Sequence, residues 1–509
     1  MLTRSETDRS GVARADAPHA IIIGTGFGGL ASAVRLAVKG YRVTMLERLE
    51  QPGGRARVFK QDGFSFDAGP TIITAPHLFE ELWELAGERM SDHVDLVPVD
   101  PFYTIRFDDG DEFRYNGDPD AMRAEVARIS PEDVEGYERL MERSKALCHE
   151  VFEALGHVSF AKAMSMLKYT PDILKYGGHR SVFDNVKKFI KHPKLQIVFS
   201  FHPLLIGGNP FAASGVYLLI PHLERLWGVH YSMGGTGSLV NGLCDLIGRL
   251  GGTVRVNADV DEIILKGDRA TGVRLADGEI INADLVVSNA DAAATLRDLL
   301  PAKPARRWSP KAIDNATYSM GLFVWYFGTK KRYPDVGHHT IILGPRYREL
   351  LNDIFYKKKL APDFSLYLHR PTIADPRMAP DGCEAFYVLS PVPHLQSGVD
   401  WQTQAEPYRQ AIEDRLNETL LPGIKDEIVT SRLLTPKDFE TDYKSLQGSA
   451  FSLEPILSQS AWFRPHNGLN SLQNVYLVGA GTHPGAGVPA VLSSARVLDE
   501  LIPDAHVSA

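Results

Sequence analysis

The chain has very little cysteine. Cys148, Cys244 and Cys383 are the only three among 509 residues, and they stand far apart with no C-x-x-C pair. That excludes a disulfide framework and a thiolate metal motif, and free thiols suit a reducing compartment. Long apolar runs are missing as well. No 18 consecutive apolar residues occur, so no membrane-spanning helix is expected. Residues 1–18 lack the apolar core of a signal peptide and read as a loose polar tail. Positive charge is not in excess either: the formal net charge of −8 argues against nucleic acid as a partner. There are no internal repeats and no low-complexity segments. With 44% apolar and 23% charged residues, this is a folded chain of two or three domains.

What is present concentrates first in residues 20–57. Residues 20–23 form an apolar, β-branched run of the kind found in buried parallel strands. It leads into Gly24-Thr25-Gly26-Phe27-Gly28-Gly29, a G-x-G-x-x-G. Leu30, Ala33, Val34, Ala37 and Val38 then recur at helical spacing, and Gly40 ends the run. Residues 41–46 read as a second strand ending in Glu47. Strand, glycine turn, helix and a carboxylate just over 20 residues on make a dinucleotide fingerprint. Gly24 allows the turn, Gly26 lets a pyrophosphate approach, and Gly29 lets the helix pack on the strand. Glu47 stands where ribose hydroxyls are held.

Gly53-Gly54-Arg55 follows six residues after Glu47. This doublet resembles that of the FAD family containing glutathione reductase and the amine oxidases. Asp67, Gly69 and Pro70, with Thr71 after them, resemble the family's turn near the isoalloxazine ring. The resemblance implies an α/β fold with a Rossmann-like FAD-binding domain made of residues 19–90, 229–299 and 468–503. A discontinuous substrate domain (91–130 and 300–467) and a helical, membrane-facing subdomain (131–228) complete the division. Strands are expected at 321–327, 364–368 and 385–389, a hairpin across 94–115, and helices at 78–86 and 406–420.

The helical stretch changes the charge pattern. Residues 160–196 hold Lys162, Lys168, Lys175, Arg180, Lys187, Lys188, Lys191 and Lys194 against Asp172 and Asp184, a local charge of +6. Phe160, Met164, Met166, Leu167, Tyr169, Ile173 and Leu174 are interleaved, and the apolar segment 197–220 follows. One reading is a helical subdomain with a solvated basic face. The other is a peripheral membrane face, with lysines on anionic headgroups and apolar residues dipping in.

Near the carboxyl end, Gly479-Ala480-Gly481-Thr482-His483-Pro484-Gly485-Ala486-Gly487-Val488 follows a strand and precedes a helix. With Asn474 and Ser494, and with SMGLFVWYFG (319–328), PDVGHHT (334–340), SLYLHRPT (365–372) and WFRPHN (462–467), it resembles the bacterial-type phytoene desaturases. The likeness spans about residues 19–500. It implies a flavoenzyme that desaturates phytoene stepwise to neurosporene or lycopene at the cytoplasmic face of the cell membrane. Partly desaturated carotenoids would be further substrates, and oxygen or a quinone the electron acceptor. Carried over by position, Gly24, Gly26, Phe27, Gly28, Gly29, Glu47, Gly54, Arg55, Gly69, Pro70, Thr71, Val260, Gly481, Thr482 and Val488 would line FAD. Thr482 stands where amine oxidases place an acid for the ribityl chain.

Making CH=CH from CH2–CH2 also needs a proton acceptor in a dry pocket. Glu142 and Lys145, at i, i+3 on one helix, are candidates. The histidines show no metal-ligand spacing, so no metal is expected. Rival readings are a later-acting desaturase of hydroxylated carotenoids, an amine-oxidase-like flavoenzyme, and a non-enzymatic lipid-binding escort on the same fold, like GDP-dissociation inhibitors.

Overall fold

The computed structural model describes residues 16–153, 156, 158–159, 175–300, 308–469 and 471–505. Its organising strand is His19–Ile23, buried along its whole length because parallel neighbours flank it and helices cover its faces. The parallel sheet runs in the order Val475–Leu477, Leu285–Ser288, His19–Ile23, Arg42–Leu46, Thr253–Arg255. Helix Phe27–Val38 buries Leu30, Ala33, Val34 and Ala37 against helices Thr236–Arg249 and Val488–Arg496. The carboxyl ends of four strands therefore deliver Gly24, Glu47, Asn289 and Gly479 to one edge. In an open α/β sheet that edge is the binding crevice. An antiparallel sheet of Val260–Lys266, Arg269–Leu275 and Ile280–Asn282 lies beside it in the chain order.

The second large sheet has seven strands, ordered Ile428–Leu434, Gly321–Thr329, Glu384–Val392, Leu366–His369, His339–Ile342, Tyr103–Arg106, Glu112–Tyr115. Gly321–Thr329 is buried throughout, as its run of Leu322, Phe323, Val324, Trp325, Tyr326 and Phe327 requires. The hairpin expected over 94–115 is shorter than its pattern. Tyr103–Arg106 pairs with Glu112–Tyr115, whereas Leu96–Pro98 pairs with His230–Ser232. The helix expected at 406–420 starts at Trp401, where the Asp400 carboxylate accepts from the Gln402 N–H and caps it.

The apolar segment after residue 196 faces inward. Phe199, Phe201 and Leu218 are buried in the core that also takes Tyr103, Phe113 and Tyr137. No helix among the described residues is long and apolar enough to cross a membrane. Lys187, Lys188 and Lys191 are exposed, but Lys194 is half-buried with its Nζ 2.6 Å from Asp109 and 3.0 Å from Asp111. That ion pair removes Lys194 from the basic face. Lys162, Lys168 and the interleaved residues Phe160, Met164, Met166, Leu167, Tyr169, Ile173 and Leu174 lie outside the described residues.

Glu454 is a buried acid that no cation neutralises within hydrogen-bonding distance among the described residues. Burial pushes it up from 4.5 to about 7, against the opposing pull of a hydrogen bond with the Asn209 backbone. The folded state holds this proton more tightly, so its stabilising effect is full below about pH 4.5 and is lost as pH rises through 7. Glu454→Gln should therefore be more stable than the parent at pH 8, by on the order of 3 kcal/mol. The gap should narrow towards pH 5 in urea titrations; a pH-independent gap would refute the assignment.

Candidate active site

A cavity of about 720 Å³ runs from the crevice edge of the parallel sheet to the inner face of the seven-stranded sheet. At the crevice end its wall is backbone. Gly24 takes φ +87°, and Gly53 and Gly54 are also left-handed at +110° and +55°. Gly26 starts helix Phe27–Val38 with no side-chain cap and no acid in the first turn, which leaves N–H groups for a ligand. The side chain of Asn289 is wedged among Gly26, Gly28 and Gly479.

Glu47 stands at the end of its strand, almost fully buried. Its Oε2 accepts from the Thr25 N–H at 3.0 Å and the Thr25 hydroxyl at 2.5 Å, and Oε1 accepts from the Leu49 N–H at 3.0 Å. The Thr25 hydroxyl in turn accepts from the Gly53 N–H at 3.0 Å, tying the two glycine loops together. Arg55 donates from Nη2 to Ser445 at 2.9 Å, while its Nε, at the cavity wall, finds no partner among the described residues. Burial lowers the Arg55 pKa from its ordinary value, and Asp291 and Tyr443 oppose that shift. Asp291 caps a short helix with Oδ1, leaving Oδ2 unpartnered at the same wall. A glycine cradle, an uncapped helix start, an orphaned guanidinium nitrogen and a carboxylate at the strand end suit a dinucleotide with its pyrophosphate.

Beyond this end the lining turns apolar. Phe201, Leu204, Leu205, Ile206, Leu219 and Leu223 come from the segment after residue 196, facing Met320, Leu322, Val324, Ile341 and Leu343. The polar exceptions here include Thr71, Tyr367 and Tyr387, whose hydroxyls meet at 2.9 Å.

Compared with known proteins, residues 27–497 match the family described as flavin containing amine oxidoreductase. The chain is 48% identical over 495 residues to the neurosporene-forming phytoene desaturase of Cereibacter sphaeroides, covering 96% of this chain and 95% of that one. It is 47% identical over 483 residues to the lycopene-forming phytoene desaturase of Pseudescherichia vulneris, covering 95% and 98%. The chain belongs to the flavin-containing amine oxidoreductases, on their phytoene desaturase branch. This flavoenzyme shares its fold with an oxidoreductase from Methanosarcina mazei, at TM-score 0.66, 19% identity and coverage of 95% of this chain and 100% of the other. A Rab GDI from Plasmodium falciparum superposes at 0.54 with 12% identity, covering 96% and 99%. Those two likenesses concern the fold alone.

In the flavoenzyme, Gly24, Gly26, Phe27, Glu47, Gly54, Arg55, Gly69, Pro70, Thr71, Val260 and Val488 all line the cavity. Gly28, Gly29, Gly481 and Thr482 lie behind its wall. They are packing positions: a Cβ at Gly29 would sit 2.2 Å from the Gly24 carbonyl oxygen, and one at Gly481 2.7 Å from the Ala292 Cβ. Thr482 is fully buried and donates to the Pro465 carbonyl at 2.6 Å, so its hydroxyl is committed within the protein. Glu142 and Lys145 fall on the exposed face of helix Val134–Leu147 and do not line the cavity. A proton acceptor for a dry pocket cannot be a solvated pair on the far side of its helix.

Several residues at the wall or behind it were not anticipated. Asn289 and Asp291 follow a strand, as Glu47 does, and that spacing could have flagged them. Arg464 is buried and donates to the carbonyls of Gln459, Leu453 and Ala480, supporting the carboxyl-terminal glycine turn from beneath. His338, His339 and His369, unremarkable in sequence, come together with ring nitrogens within 4.8 Å of one another.

The two kinds of glycine separate by substitution. At Gly26 the φ is −64° and the new methyl would meet only the movable Asn289 amide, at 2.8 Å. Gly26→Ala should fold yet lose bound FAD, with the parent's apoprotein melting point. Gly29→Ala drives a methyl into backbone and should cost upwards of about 3 kcal/mol or prevent folding. Flavin absorbance and thermal melts of the purified variants check both; full flavin content in Gly26→Ala would contradict the cradle.

Proposed function

We propose that this FAD-dependent oxidoreductase desaturates phytoene stepwise towards neurosporene or lycopene. The observation that carries the reading is one continuous cavity whose crevice end suits a dinucleotide and whose remainder is apolar. A long hydrocarbon offers no charge and few hydrogen-bond handles, so burial against apolar walls is what can hold it. Relatives that are 47–48% identical over nearly their whole length carry the corresponding names. When bound, the flavin supplies the hydride acceptor of a desaturation.

The chain's own residues do the rest. The N–H groups beside Gly24 and Gly26 and the Arg55 guanidinium bind the diphosphate, and Glu47 orients the ribose through its carboxylate. Gly69, Pro70 and Thr71 border the reacting end. Leu204, Leu205, Met320 and Leu322 exclude water around the chain of the substrate. With FAD bound, oxygen or a quinone would serve as the final electron acceptor. Delivery of so insoluble a substrate calls for a peripheral station on the cytoplasmic face of the cell membrane, where exposed Lys187, Lys188 and Lys191 meet anionic headgroups.

Anaerobic mixing of the yellow enzyme with phytoene in liposomes should bleach the flavin band and yield a more unsaturated product. Oxygen or a quinone should then restore turnover. A colourless protein that binds lipid would instead favour the escort reading, and product formed only with added NAD would refute direct transfer to flavin. Replacing Lys187, Lys188 and Lys191 with glutamine removes about 1 kcal/mol each of headgroup attraction. Affinity for anionic vesicles should fall on the order of 100-fold, with less salt dependence remaining; unchanged binding would make that face merely solvated.

A further inference from the structure

A connected polar path leads from the apolar part of the cavity into the core. Tyr367 and Tyr387 lie on adjacent strands, Leu366–His369 and Glu384–Val392, and both hydroxyls are 2.9 Å from the Thr71 hydroxyl. Tyr387 donates to the Gly69 carbonyl at 3.1 Å, which fixes its proton away from the others. Tyr367 has a different partner: its Oη is 2.6 Å from His339 Nδ1.

Behind Tyr367 the contacts continue into the core. His339 Nδ1 and His369 Nδ1 are 3.3 Å apart, with the rings stacked at 5.1 Å. His369 Nε2 is 3.7 Å from Asp67 Oδ2, which has no hydrogen-bond partner among the described residues. Asp67 Oδ1 is held at the start of helix Thr236–Arg249, accepting from the Thr236 N–H at 2.7 Å and its hydroxyl at 2.9 Å. Asp67, His339 and His369 are each at most 1% exposed. Burial holds His339 well below the ordinary imidazole range and lowers His369 too, though Asp67 pulls His369 back up. Both rings therefore rest neutral, each with a lone pair able to take a proton. His339 Nε2 and His369 Nε2 have no hydrogen-bond partner among the described residues, and carrying unpartnered imidazole nitrogens in a core costs stability.

We propose that Tyr367 is the group that takes the substrate's proton, and that His339, His369 and Asp67 relay it away from the cavity. The inference rests on the desaturase reading above. Two C–H bonds break for each double bond formed. One hydrogen leaves with its electron pair as hydride to the flavin, the oxidant, which gains two electrons. From the neighbouring carbon a proton passes to Tyr367 Oη as the tyrosine's own proton moves to His339 Nδ1. The electron pair of that second C–H bond becomes the π bond. Tyr367 ends neutral, and the positive charge on the imidazole pair faces the Asp67 carboxylate. Tyr367 is the catalytic residue here; His339, His369 and Asp67 act through it.

Tyr367→Phe keeps the ring and removes only the hydroxyl. The holoenzyme variant should retain its FAD content and melting point, with KM for phytoene unchanged and kcat reduced on the order of 10²-fold or more. His369→Gln should lower kcat in the same direction, and Asp67→Asn likewise where His369→Gln fails to fold. Independently of turnover, the resting parent holoenzyme should show a far-downfield proton resonance from the Tyr367–His339 hydrogen bond, lost in Tyr367→Phe. Parental kcat in flavin-loaded Tyr367→Phe, or a parent lacking that resonance, overturns the relay. So does a stoichiometric transition metal in the purified parent, since it would occupy the imidazole lone pairs. Failure of the parent itself to desaturate phytoene would sink the desaturase reading instead, and the two failures are thereby told apart.

Discussion

The structure depends on a close approach of backbones that no side chain may enter. Between the first strand and its helix, the Gly24 carbonyl occupies the place a Cβ at Gly29 would need. Alongside, the Asn289 amide fills the gap among Gly26, Gly28 and Gly479 and joins three carboxyl-end loops of the parallel sheet. Because these contacts are made by backbone and one short amide, the N–H groups at the helix start stay accessible. Packing and anion binding come from the same geometry. A bulkier loop would separate helix from sheet and close the cradle.

The second requirement is to join that polar crevice to a hydrophobic chamber without flooding it. The seven-stranded sheet supplies one wall through Met320, Leu322 and Val324, and the segment after residue 196 supplies another through Phe201, Leu204 and Leu205. Apolar residues expected at a membrane face line the chamber instead, where they lose contact with water all the same. The burial term is similar for both placements, about 25 cal/mol per Å². The choice was made by the helices and short turns that fold this segment back onto Tyr103, Phe113 and Tyr137.

Charge is arranged with comparable economy. In the −8 chain Lys187 and Lys188 are exposed, whereas Lys191 pairs with Glu132 and Lys194 is tied to Asp109 and Asp111. Glu454 and the three imidazoles near Asp67 are the costly groups, held in the core with polar atoms unmet. Where such unmet titratable groups lie next to a reactive cavity, chemistry is to be sought.

Much was legible in the order of residues. Local features such as a β-branched run, glycines at set spacing, a helical apolar face and a carboxylate after the next strand act within about 30 residues, so sequence alone determined the dinucleotide unit. Gly24, Gly26 and Glu47 followed from it, and Arg55 from the resemblance of its glycine doublet to the FAD family. Long matching stretches determined the family. What sequence could not decide is which face a side chain takes and what lies opposite it. Glu142 and Lys145 shared a helix face, but only packing revealed that it points to solvent. Thr482 sat in a glycine-rich turn beside the expected flavin, yet its hydroxyl turns to Pro465. His339, His369, Tyr367 and Asp67 come from three separate strands up to roughly 300 residues apart, and packing of the hairpin at Asp67 against the seven-stranded sheet is what brings them together. Such a contact is set by the register of distant strands, a quantity that exists only once the tertiary fold has formed.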